Sequence, residues 1–140
     1  MNQFVEDIFR FNEMYDQPRP EVPSTAHLPV VARMTQFKRI IMDEVVEVED
    51  IIAEGGKSEL DDLVNLADWL GDLTIYAASE MQRFGIPQEA VLKIIMQSNF
   101  SKLGADGLPI VKDGKIQKGP NYWKPEPKLR ELFISMGVKE

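Results

Sequence analysis

The chain contains no cysteine and a single histidine, His27. Disulfide scaffolds, thiolate zinc sites and cysteine nucleophiles are excluded, as is any site needing two histidines from one chain. No apolar run approaches the roughly 20 residues of a membrane-spanning helix. The opening MNQFVEDIFRF lacks the basic start and apolar stretch of a signal peptide. The expectation is a cytoplasmic protein with no membrane partner. Positive charge is also short, with 16 basic residues against 23 acidic and a net charge of -7. Such a surface repels bulk nucleic acid, so no nucleic acid polymer is expected as a partner. A small phosphate ligand remains admissible if metal ions accompany it. The 140 residues are 44% hydrophobic, enough for a real core, and one domain over 1–140 is the natural count.

Phe4, Ile8 and Phe11, with Val5 and Met14, give helical spacing over residues 3–15. Pro18, Pro20, Pro23 and Pro29 make 17–29 an extended connector. A long helix is expected from about 31 to 54, stopped by Gly55 and Gly56. Ser58 is a natural N-cap for a second, from 58 to about 84, ended by Gly85. Pro87 opens a third helix to about 103. Residues 104–126 then alternate short apolar pieces with Asp-Gly turns, which predicts a small hairpin at Asp113–Gly114. A short helix over 127–136 closes the chain. The fold class is therefore all-α, a helical bundle with a small C-terminal hairpin appendage.

Placing the acids at about 100° per residue is the informative step. On the helix over 31–54, Glu44 falls inside an apolar arc with Ile40, Ile41, Val48 and Ile51, and Glu47 sits at its edge. Asp43, Asp50 and Glu54 flank the arc, and Glu49 points away. The helix over 58–84 is apolar almost all round, which predicts a central position. One seam of it is polar: Asp61, Asn65, Asp68, Asp72 and Ser79. Carboxylates facing one another in a bundle repel unless something neutralises them. Arginines from elsewhere are one explanation. A divalent metal is the better one, because hard cations take oxygen ligands and bundles hold them through acids on facing helices. On the third helix, Asn99 is expected on the inner face with Val91, Leu92, Ile94, Ile95 and Met96, and Lys102 at its edge. Taken alone, those two read as a capping amide and a solvated lysine. Lys112, Lys115, Lys118 and Lys124 gather around Tyr122 and Trp123, either to close over a nucleotide or as a solvated hairpin.

The run Asp43-Glu44-Val45-Val46-Glu47, followed by Asp68-Trp69-Leu70-Gly71-Asp72, resembles the acidic signature of the all-α nucleoside triphosphate pyrophosphatases. These are the MazG-like and phosphoribosyl-ATP pyrophosphohydrolase-like proteins. The blocks Gln97-Ser98-Asn99-Phe100-Ser101-Lys102-Leu103, Asp113-Gly114-Lys115 and Lys118-Gly119-Pro120-Asn121-Tyr122 are similar to one subgroup of them. The resemblance implies a MazG-like helical bundle, homodimeric or homotetrameric, that uses Mg²⁺ or Mn²⁺. It implies hydrolysis of a (deoxy)nucleoside triphosphate between the α and β phosphates, giving the monophosphate and pyrophosphate, of the kind that cleans nucleotide pools. The family's metal ligands map onto Glu44, Glu47 and Asp72, with Asp43 a weaker carry-over, and Asp68, one turn before Asp72 on the same face, is placed to substitute; Glu44 and Glu47 are the expected catalytic acids. Asn99 and Lys102 map onto substrate-contacting positions, and the basic and aromatic appendage adds Lys115, Lys118 and Tyr122 as candidate substrate contacts. The family's ExxD is not reproduced: Trp69 precedes Asp72, and Asn65 precedes Asp68, by three. Which of the two aspartates is the main ligand stays open.

Metal-assisted hydrolysis asks for no protein nucleophile, in keeping with the missing cysteine. Glu47 or Asp43 could accept the water proton. Met42 and Val46, and Trp69 and Leu66, lie off the acidic seams and predict at least a homodimer. The alternative to an enzyme is a non-catalytic nucleotide- or metal-binding helical module. A plain helical interaction protein would keep its acids on solvent faces.

Overall fold

The computed structural model describes residues 2–140 and contains five helices and one two-stranded hairpin. They run as α1 (Gln3–Met14), α2 (Val30–Glu54), α3 (Glu59–Arg83), α4 (Gln88–Phe100), β1 (Val111–Lys112), β2 (Lys115–Ile116) and α5 (Glu126–Ser135). The chain divides into two compact units, Met1–Gly85 and Ile86–Glu140. No helix among the described residues is long and apolar enough to cross a membrane.

In the first unit, α1 and α2 each pack on α3. Asn2 caps α1 by accepting from the Val5 N–H at 2.9 Å. The buried positions of α1 are Val5, Ile8 and Asn12, one face of a helix. Asn12 is a polar residue in a core position and is satisfied in full view of α3. Ser79 Oγ donates to its Oδ1 at 2.6 Å, and its Nδ2 donates to the Ser79 carbonyl at 3.2 Å. Gln82 Nε2 donates to the Val5 carbonyl at 3.2 Å. This register of polar bonds fixes which turn of α1 meets which turn of α3. Ser58 caps α3 as expected, accepting from the Asp61 N–H. The proline connector is tied to the other end of α3, where the Ser24 N–H donates to the Phe84 carbonyl at 2.9 Å and His27 Nε2 to the Arg83 carbonyl at 3.0 Å.

α3 is the helix on which both α1 and α2 pack, but its cover is confined to one end. Its buried residues, Ala78, Ser79, Glu80 and Gln82, all lie in its last two turns. Leu60, Leu63, Val64 and Leu70 are more than half exposed in this single chain. Two neighbouring helices cannot cover a helix that is apolar almost all round.

In the second unit, α4 lies near α5, and β1 pairs antiparallel with β2, Val111 opposite Ile116. Asp113 and Gly114 both adopt positive φ, 53° and 73°, as a type I′ hairpin turn requires.

A candidate metal and phosphate site

Glu44 is buried, 6% exposed, and its Oε2 is fully buried without a hydrogen-bond partner. Among the described residues, none of Glu44, Glu47, Asp68 and Asp72 forms an ion pair; the basic groups that do are Arg33, Arg83 and Arg130. The alternative of neutralisation by arginine therefore falls away. The strain on the cluster shows in its neighbours. The Glu47 carboxyl holds its proton above the ordinary glutamate value, chiefly because of the charge of Glu44 and a hydrogen bond to it, then through burial and the charges of Asp72 and Asp43. The Tyr76 phenol is also raised, first by burial, then by the charge of Glu44 and hydrogen bonding to it.

The site is a groove of about 350 Å³ between α2 and α3. Glu47, Asp50, Ile51 and Glu54 line it from α2, and Asn65, Asp68, Trp69 and Asp72 from α3. Three of the expected ligands, Glu47, Asp68 and Asp72, are thus brought together, with Glu44 beside Glu47. Asp50 and Glu54, placed only as flanking acids by periodicity, line the groove too. Trp69 differs from expectation. It is not turned toward a partner surface but lines the groove, and its Nε1–H donates to the Glu44 carbonyl at 2.8 Å. A large indole one residue from Asp68 can reach across to α2, and its N–H needs an acceptor there. That bond clasps the two acidic helices at the level of Glu44.

Among the described residues no three acidic or histidine side chains converge as a ready-made metal cage. The carboxylates line a groove instead. This arrangement fits Mg²⁺, which keeps several waters and takes one or two carboxylates plus phosphate oxygens. It fits poorly a metal that demands a full protein shell. Glu44 Oε2, buried without a donor beside this groove, is an oxygen that a hard cation could take.

A second cavity of about 570 Å³ adjoins the groove, and Asp72 lines both. Phe4, Ile8, Phe11, Phe37, Ile40 and Ile75 make it apolar, while Arg33, Glu80 and Arg83 supply charge. Periodicity missed Tyr76 and this charged cluster. Tyr76 follows Asp72 by one turn, so the signal for it was present.

The remaining expected residues belong to the second unit. Asn99 is exposed and is not on the inner face of α4, and neither are Leu92 and Met96, about half exposed; the buried residues are Val91 and Ser98. Ser98 takes the inner position because its Oγ donates to the Trp123 carbonyl at 2.9 Å. Lys102 is half-buried and its carbonyl accepts from the Gly119 N–H at 2.8 Å. A Cβ on Gly119 would collide with the Leu103 carbonyl, so only glycine permits this approach. The end of α4 and the segment Lys118–Trp123 are thereby joined. Lys115 and Lys118 are exposed, and the Lys118 ammonium lies 5.0 Å from the centre of the Tyr122 ring.

No family model matches this chain, and no curated protein matches it. Among solved structures it is similar to a candidate NTP pyrophosphohydrolase from Exiguobacterium sp. 255-15, at 22% identity and a TM-score of 0.52. The match covers 96% of this chain and 95% of that one. The fold is an all-helical, NTP pyrophosphohydrolase-like one.

Proposed function

We propose that this protein hydrolyses a nucleoside triphosphate between its α and β phosphates, with Mg²⁺ (or Mn²⁺) held by Glu44, Glu47, Asp68 and Asp72. The observation that carries the reading is the buried, unpartnered Oε2 of Glu44 next to a groove lined by Glu47, Asp50, Glu54, Asp68 and Asp72. When bound, the divalent ion neutralises triphosphate charge and makes water a usable nucleophile near neutral pH. The protein's own groups do the rest. Water adds to the α phosphorus, the bond to the bridging oxygen breaks, and pyrophosphate leaves with the electron pair. Glu47, or Asp43 one turn before it, accepts the proton of the water. Trp69 holds α2 and α3 in register so that the acids of both reach one phosphate chain. The aromatic cavity on the other side of Asp72 takes the nucleobase. Asn99, Lys102, Lys115, Lys118 and Tyr122 belong to the second unit, and their contact with substrate is an expectation of the sequence alone.

A second copy of the chain is part of the reading. Met42, Val46, Leu60, Leu63 and Leu66 are between 41% and 71% exposed along α2 and α3. Apolar side chains left exposed in such number on two helices call for a homodimer or homotetramer. Light scattering at micromolar concentration tests this, and a monomer would count against it.

The decisive experiment is release of pyrophosphate and monophosphate from a panel of (deoxy)nucleoside triphosphates, with Mg²⁺, with Mn²⁺ and with chelator. Metal-dependent release supports the reading. Metal and nucleotide binding without any release would leave a binding module instead.

A further inference from the structure

The second-copy reading leaves open where two copies meet, and α3 supplies an answer in the way its residues divide. At about 100° per residue, Asn65, Asp68, Trp69 and Asp72 share the half of the helix that lines the acidic groove. The opposite half carries no charge from Leu63 to Met81. The charged residues of that span, Asp68, Asp72 and Glu80, all lie on the groove half. Leu63, Leu66 and Leu70, on the uncharged half, are between 41% and 58% exposed, and Ala67 and Thr74 are exposed beside them. The buried residues of α3 begin only at Ala78.

Two details suit this half to an apolar partner. Its one polar side chain between Leu63 and Met81 is Thr74, whose hydroxyl donates to the Leu70 carbonyl of its own helix at 2.8 Å. Covering the face would therefore leave no donor unsatisfied. Gly71 is the middle residue of α3, where glycine costs a helix stability relative to alanine. A Cβ there would meet nothing within 4 Å, so no neighbour in this chain requires the glycine. With Ala67 and Thr74 it lowers the surface beside the three leucines, which lets a second helix backbone come close.

Charge decides the occupant. The first unit has seventeen acidic residues and seven basic ones, so two copies repel across most of their surface. They do not repel across this half of α3. A face set on a two-fold axis must also match itself, and a charged face would meet its own sign there. We infer that two copies of this chain meet α3 against α3, through the uncharged half centred on Gly71. The helix that presents Asp68 and Asp72 to the groove is then braced from behind by the second copy. The inference rests on the second-copy reading above and names its surface.

Because the chain has no cysteine, one introduced thiol reports its own surroundings. The whole protein carrying Leu63→Cys, Ala67→Cys, Gly71→Cys or Thr74→Cys is oxidised at micromolar concentration, with Glu13→Cys on an exposed position of α1 as the reference. A thiol near the two-fold axis meets its own copy within disulfide reach, Cα atoms about 7 Å apart or less. At least one of the four should form a covalent dimer on the order of 10²-fold faster than Glu13→Cys, since docking raises the local thiol concentration from micromolar toward about millimolar. Leu70→Glu sets like charges across the contact, so light scattering should show its mass fall by half while circular dichroism stays unchanged. If that variant does not fold, the cross-links decide. A wild-type dimer that gives no preferential cross-link, and that persists in Leu70→Glu, would overturn the α3 surface and leave the second-copy reading standing. A monomeric wild type would overturn both and leave the face to a different partner. Pyrophosphate release is read separately and decides neither.

Discussion

The two units treat charge in opposite ways. Met1–Gly85 holds seventeen acidic residues and seven basic ones, and Ile86–Glu140 holds six acidic and nine basic. The first unit buries charge, with Glu44, Arg33 and Glu80 all below one-tenth exposed. The second leaves charge at the surface, where the ion pair Arg130–Glu140 is 68% and 69% exposed. Buried charge must be answered by a partner: Glu80 has two, and Glu44 has none of opposite sign. Exposed charge needs no answer and remains free to meet a ligand. The net charge of -7 averages over two units of opposite sign and describes neither.

The contrast can be broken most sharply at Glu44. Glu44→Gln should lower metal-dependent turnover on the order of 10³-fold, since removing one ligand of a charge-stabilising ion forfeits several kcal/mol at the transition state. Circular dichroism should show the helices intact, and near wild-type activity would reject the metal assignment. Next is Glu80→Gln, which strips the buried arginines of their counter-charge. It should cost about 3–5 kcal/mol of stability in urea unfolding, whereas Glu140→Gln in the exposed pair should barely move the midpoint. The pH dependence sharpens the same point. The unfolded chain releases the Glu47 proton near 4.5, and the folded chain retains it to higher pH. The folded state therefore binds more protons in that window, so stability without metal falls as pH rises through it. Saturating Mg²⁺ should remove the fall, and a flat metal-free profile would show that Glu44 and Glu47 do not share charge as described. The smallest effect belongs to the second unit. Lys118→Gln should raise KM about threefold to tenfold with kcat little changed, an effect that weakens with salt; an unchanged KM would remove Lys118 from the phosphate contacts.

What was legible in the sequence was local. Ser58, Gly85 and Asp113–Gly114 bound their elements through backbone chemistry that needs no distant partner, and each is where spacing put it. The acids of α2 and α3 were legible for a related reason, since helical periodicity alone brings Glu47, Asp68 and Asp72 to one groove. The misses all depend on distance. Asn12 finds Ser79 across 67 residues and Arg33 finds Glu80 across 47, with nothing nearby in sequence to announce either pair. Ser98 displaced Asn99 from the inner face because of a carbonyl 25 residues on. The exposure of α3 was half legible, since its apolar residues outnumber what two neighbouring helices of one chain can cover.

The two tryptophans have fallen one to each unit, and this gives the molecule a pair of built-in optical reporters. Trp69 has its indole N–H on the Glu44 carbonyl within the acidic groove, while Trp123 lies under the Lys128 ammonium, 4.2 Å from its ring centre. Emission from a Trp123→Phe protein would follow the groove alone as Mg²⁺ is added, and emission from Trp69→Phe would follow only the lysine-rich unit as nucleotide is added. Metal and nucleotide arrival could then be timed separately in one protein without any attached dye.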